Sequence, residues 1–127
     1  MAAMKRVLLA ILVAVSAIGC VTYNLSNLTL REHPRTPTGL YPVELIWESN
    51  EQALRHESIK PIVIIGTNVY TMQKTLLMKN RWEALIPADK TVTNLYYRIR
   101  VNWQYNAIPY PENNSQMSPQ YQLRIRD

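Results

Sequence analysis

The chain has 127 residues, a formal charge of +5, eight Tyr, three Trp, no Phe and a single Cys. That length supports one hydrophobic core and one domain. One thiol excludes an intrachain disulfide, and a thiol alone forms neither a redox pair nor a metal cluster.

Residues 1–20 read MAAMKRVLLAILVAVSAIGC. Lys5 and Arg6 precede an apolar run over residues 7–18, broken by Ser16, which stops at Gly19-Cys20. A basic start, an apolar core of about 7–15 residues and a small-residue cleavage point describe an export signal. A membrane-spanning helix needs about 20 apolar residues, more than this run holds. Ala17-Ile18-Gly19-Cys20 resembles the lipobox of bacterial lipoproteins, with Ala17 where Leu is usual. The resemblance implies that residues 1–19 leave as a signal peptide. It also implies that Cys20 carries acyl chains (palmitate among them) and that the protein is held to a membrane of the cell envelope. Val21 after the Cys, rather than Asp, implies outer membrane over inner membrane in the enterobacterial sorting pattern. The competing readings are an ordinary signal peptide with Cys20 incidental, and an uncleaved anchor.

Cleavage would remove Lys5 and Arg6, and the remaining basicity is too slight for a nucleic-acid footprint. Residues 20–38 hold Asn, Ser and Thr, then two prolines and Gly39, with no helical period. They predict a flexible tether of roughly 23 Å reach, although residues 23–30 could pair as an edge strand. Residues 39–127 would then form the domain.

From Tyr41 onward, Val43, Leu45 and Trp47 alternate with Glu44, Ile46 and Glu48, the period-two signature of a strand. IKPIVIIG, residues 59–66, is a continuous apolar run of the kind expected for a strand covered on both faces. Residues 69–78 and 81–86 predict two more strands. Over residues 95–105, Leu95, Tyr97, Ile99, Val101 and Trp103 alternate with Tyr96, Arg98, Arg100, Asn102 and Gln104. Residues 106–118 predict a long loop, and residues 121–126 a last strand. Six or seven strands without a long amphipathic helix predict an all-β antiparallel sandwich. Its Pro61-x-Val63-x-Ile65-Gly66, Trp82 and Tyr97-x-Ile99-x-Val101 strands resemble an immunoglobulin-like or early-set domain. Trp47, Trp82 and Trp103 each share an apolar parity and belong to the core.

No catalytic constellation emerges. His33 and His56 have no Cys, His or Asp at ligand spacing and read as solvated. Ser49, Ser58 and Ser115 lack a nucleophile-elbow context, and glycine is too scarce for a phosphate loop. The sequence predicts a non-enzyme with no cofactor and no metal. Two surface features remain. If the last two strands form a hairpin, Arg98 and Arg100 would face Arg126 and Arg124, with Glu44 and Glu48 offsetting the like charges. That makes either a solvated charge ladder or a basic face for an anionic partner. Tyr105, Tyr110 and Tyr121 flank the long loop, and Asn113, Asn114 and Gln116 lie in it, a composition suited to protein or sugar recognition. The expected function is protein–protein interaction, as a structural or accessory subunit of an envelope assembly. The alternative is a carbohydrate-binding module, which the tract from Ile62 to Val101 faintly resembles.

Overall fold

The computed structural model describes residues 20–127 and Met4; the signal-peptide expectation for residues 1–19 lies outside the described residues apart from Met4. Ten strands follow in order: β1 (Tyr23–Asn27), β2 (Glu32–Pro34), β3 (Leu40–Ser49), β4 (Lys60–Ile65), β5 (Asn68–Thr71), β6 (Gln73–Lys74), β7 (Arg81–Pro87), β8 (Asn94–Tyr105), β9 (Glu112–Met117) and β10 (Tyr121–Arg126). One sheet runs β1-β3-β7-β6, and the other runs β2-β10-β8-β4-β5 with β9 also on β8. These are the two sheets of an immunoglobulin-like sandwich, with β1, β3, β7 and β6 as its ABED layer and β4, β8 and β10 as its CFG layer. No helix among the described residues is long and apolar enough to cross a membrane.

Alternation decides which side chains fill the gap between the sheets. Tyr41, Val43, Leu45 and Trp47 of β3 are buried against Leu95, Tyr97, Ile99, Val101 and Trp103 of β8. Leu123 and Ile125 of β10 and Val63 of β4 extend the core. Trp47 and Trp103 meet across the layers with ring centroids 4.8 Å apart. Tyr23 of β1 closes the group at 4.8 Å from Trp103 and 6.2 Å from Trp47. In place of an inter-sheet disulfide, three tilted or stacked rings join the sheets, and such pairs add about 0.5–1.5 kcal/mol each beyond their buried area.

Strands exceed the expected number for three local reasons. The supposed tether holds β1, antiparallel on β3 with Tyr23 opposite Ser49, and β2, parallel on β10 with Arg124 opposite Glu32. The sandwich therefore begins three residues after Cys20, and the edge-strand alternative for this stretch is the observed one. Residues 69–78 do not form one strand. The chain leaves one sheet after β5, buries Met72 between the layers, and joins the other sheet as β6. The expected 106–118 loop is shorter, because residues 112–117 pair with β8 as β9.

Candidate functional site

The outward face of the larger sheet gathers side chains from β4, β5, β8 and β9. β4 and β8 pair with Ile62 opposite Arg100, Ile64 opposite Arg98 and Lys60 opposite Asn102. β5 places Thr71 beside Ile62 and Val69 beside Ile64. β9 places Met117 beside Arg100, Ser115 beside Asn102 and Asn113 beside Gln104. Two lateral rows result, Thr71-Ile62-Arg100-Met117 and Val69-Ile64-Arg98. Ile62 and Ile64 are half-buried, while Val69 and Met117 are exposed. IKPIVIIG is therefore covered on one face only, and its outward isoleucines form an apolar strip crossed by two arginines. Arg98 and Arg100 have no salt-bridge partner among the described residues.

Toward the end of β8 the strip gives way to a polar cleft of about 670 Å³, whose walls include Arg55, Lys60, Arg100, Asn102, Gln104 and Asn113. Arg55 pairs with Glu57 at 3.3 Å. Gln104 Nε2 donates to Asn113 Oδ1 at 3.1 Å, so the amides are prearranged across the β8–β9 step. Cations outnumber carboxylates here, which suits an acidic counterpart.

The four arginines do not form one basic face. β10 meets only the first part of β8, with Tyr121 opposite Tyr97 and Arg124 opposite Asn94. β9 already pairs with residues 100–105 of β8, which leaves residues 94–97 to β10, and Ser118 marks the step between the two strands. Ser118 is buried between β9 and β10, its N–H donates to the Ile99 carbonyl at 2.8 Å, and its Oγ accepts the Ile99 N–H at 2.8 Å. Arg124 and Arg126 instead lie 3.6 and 4.0 Å from Glu32 of β2. Glu44 and Glu48 sit on the opposite sheet, where Glu44 accepts from Arg81 at 2.7 Å. The expected charge ladder between the last two strands is thus replaced by two separate arrangements.

The loop residues also separate. Tyr105 is half-buried and donates to Glu112 Oε2 at 2.6 Å, a bond that raises its phenol above the ordinary pKa. Tyr110 is exposed beyond β8. Asn113 faces outward into the cleft. Asn114 has the inward parity and reaches Tyr23, whose phenol is raised first by burial and then by its hydrogen bond to Glu51. Gln116 turns inward as well, accepting the Trp47 indole N–H at 2.9 Å. All three tryptophans are buried, as expected. His33 packs edge-on against Tyr41 at 5.4 Å rather than standing in solvent, and His56 is exposed. Among the described residues no three His, Cys, Asp or Glu side chains are grouped to hold a metal.

Cys20 is an exposed free thiol. Asn50 holds the backbone around it: Asn50 Nδ2 donates to the Cys20 carbonyl at 2.9 Å, and its Oδ1 accepts the Thr22 N–H at 2.6 Å. Sequence alone does not mark Ile62, Ile64, Val69, Met117 and Lys60 as a common face. A continuous apolar run inside an otherwise alternating, one-side-wet sheet was the available signal.

No family model and no curated protein matches the chain. Among solved structures, a DUF4785 family protein from Legionella pneumophila is 8% identical with a TM-score of 0.49, the match covering 84% of this chain and 29% of that one. The chain thus spans under a third of that protein's length. Murine CRIg is 14% identical with a TM-score of 0.44, covering 82% of this chain and 99% of its own. At these scores the assignment of the fold stands on the strand order described above.

Proposed function

We propose that the protein is a non-enzymatic binding domain that joins another protein through the outward face of β4, β5, β8 and β9. One observation carries this reading: Ile62, Ile64, Val69 and Met117 form an apolar strip on a wet sheet, and Arg98 and Arg100 cross it without salt-bridge partners among the described residues. Apolar area supplies affinity, and desolvated arginines select an acidic counterpart. With acylation at Cys20, as the lipobox resemblance implies, the domain works as a membrane-attached accessory subunit of the cell envelope.

The test is crosslinking and recovery from membranes. The wild-type chain should recover a stoichiometric protein partner, Arg98→Glu with Arg100→Glu should lose it, and Arg124→Glu with Arg126→Glu should keep it. Retention by the first pair of substitutions sinks the proposed face. A second reading, sugar binding, is supported by the amide-lined cleft holding Asn102, Gln104 and Asn113. No exposed indole accompanies those amides, which favours the protein partner. A glycan-array signal abolished by Asn102→Ala would reverse that preference.

A further inference from the structure

Strand direction fixes which loops share an end of the sandwich. Tyr23 opposite Ser49 sets the start of β1, and therefore Cys20, at the end where β3 finishes. Arg81 opposite Ile46 puts the β6–β7 loop, residues 75–80, at that same end. The Asn80 carbonyl there accepts the Trp47 N–H at 2.9 Å. Leu54 bridges to Tyr105, and the Asn106 N–H donates to Ala53 at 2.8 Å. The β8–β9 loop, residues 106–111, therefore lies there too.

Those two loops carry the most exposed apolar side chains of the described molecule: Leu77 at 106%, Ile108 at 99%, Leu76 at 86% and Tyr110 at 75%. Met78 and Val21 are exposed beside them. Lys74 precedes the first loop and Lys79 lies within it, and both are exposed. Glu51 and Glu112 accept hydrogen bonds from Tyr23 and Tyr105 and keep their charge, Glu57 pairs with Arg55, and Glu48 is exposed at the end of β3, so the apolar tips rather than net charge distinguish this end. At the opposite end, loops 35–39, 66–67 and 88–93 expose no large apolar residue. Aliphatic tips beside lysines and a tyrosine are the side-chain set of a lipid interface, where apolar groups enter the acyl boundary and cations meet anionic headgroups.

The occupant follows from where the chain leads. The apolar run of residues 7–18 immediately precedes Cys20, so either an acylated Cys20 or an uncleaved anchor would attach the domain at this end. Only two residues separate Cys20 from β1, and Asn50 pins them. The sandwich thus has no slack to stand away from its attachment.

We infer that the Cys20 end of the sandwich is seated on the bilayer, with Leu76 and Leu77 of one loop and Ile108 and Tyr110 of the other entering the interface. The inference rests on the membrane-attached reading of the chain, though not on acylation as the means of attachment.

The test introduces single reporters into the full chain: Leu77→Trp, Ile108→Trp and, at the opposite end, Thr91→Trp. Each is mixed with phosphatidylethanolamine–phosphatidylglycerol vesicles bearing brominated acyl chains. The parent chain, with its three buried tryptophans, supplies the background. Emission added at positions 77 and 108 should be mostly lost, and emission added at 91 retained. Equal emission at 77, 108 and 91 overturns the inference, as does shielding of 77 and 108 only when membrane proteins are present. Labelled palmitate incorporation, with Cys20→Ser as control, is scored separately. Quenching without palmitate supports the seated end and removes the lipoprotein reading. Palmitate without quenching does the reverse.

Discussion

The two ends of the sandwich are built from the same strands and finished differently. At the far end the turns are tight and polar. Gly39 takes a left-handed φ of 70° and Gly66 one of 59°, conformations that cost glycine little. Arg35 reaches Asp127, and the Thr36 N–H donates to the Tyr41 hydroxyl at 3.2 Å. At the Cys20 end, Leu77 holds φ of 62° with its side chain in solvent. A left-handed residue with a branched side chain carries a steric cost of about 1–2 kcal/mol. One end merely reverses the chain, while the other displays apolar side chains at a conformational cost. The interior mirrors this, since the Tyr23–Trp47–Trp103 cluster lies beneath the displaying end.

The largest expected effect tests that interior. Trp47→Ala should lower unfolding free energy by about 3–5 kcal/mol, from lost apolar burial and the cavity left behind. It also strands the Gln116 side chain that accepts the indole N–H. His33→Ala, at the far end, removes one half-buried edge-on contact and should cost about 1 kcal/mol. Chemical denaturation of both variants measures the difference. Equal losses would mean that the aromatic cluster does not set the stability of its end. Next in size is Asn50→Ala. It removes the side-chain contacts that pin residues 20–22, and each hydrogen bond contributes about 0.5–1.5 kcal/mol net. A drop of about 1–2 kcal/mol with faster amide exchange at Thr22 is expected. Unchanged exchange would show that β1 holds this segment without Asn50.

How far the sequence discloses these ends depends on how strongly each stretch alternates. β3 carries four apolar residues on one parity and β8 five or more, so their faces, and the burial of Trp47 and Trp103, are readable directly. β1 is harder, because Tyr23, Leu25 and Asn27 alternate with Asn24 and Ser26 in a composition that also describes a linker. The partnering of Arg98, Arg100, Arg124 and Arg126 was unreadable for another reason. Residues 112–117, a polar stretch without apolar alternation, pair with the second half of β8 and leave only residues 94–97 to β10, and a Ser-Pro pair announces only a break. The apolar strip of Ile62 and Ile64 was visible as composition, but its outward direction needed the β4–β8 register. The grouping of loops 75–80 and 106–111 with Cys20 is a property of strand direction, which no local pattern contains.

A smaller effect separates display from stability. Leu77→Gly relieves the left-handed strain while giving the unfolded chain more freedom, for a net stabilisation of about 0.5 kcal/mol. The same substitution removes an inserting side chain, so vesicle affinity should fall as thermal stability rises. Opposite signs in the two measurements would mark Leu77 as a residue kept for contact. A fall in both would locate its value in the fold instead.

The smallest expected effect is alkaline, and it also distinguishes the ends. The Tyr23 phenol is raised by burial and by Glu51, so the folded state favours the neutral form. Stability from this group is complete below the unfolded tyrosine value of about 10 and is lost as pH rises through the higher folded value. Tyr105, at the same end, is raised through Glu112, and Tyr121 of β10 is raised chiefly by burial, so a decline is expected above about pH 10 from all three. Tyr23→Phe removes one contribution, and thermal unfolding of the variant should decline less steeply than wild type over that range. Glu51→Gln removes the neighbouring charge but leaves the burial, so its slope should fall between the two. If all three slopes coincide, Tyr23 is coupled to the Cys20 end by packing alone, and the hydroxyl contact to Glu51 contributes nothing to its stability.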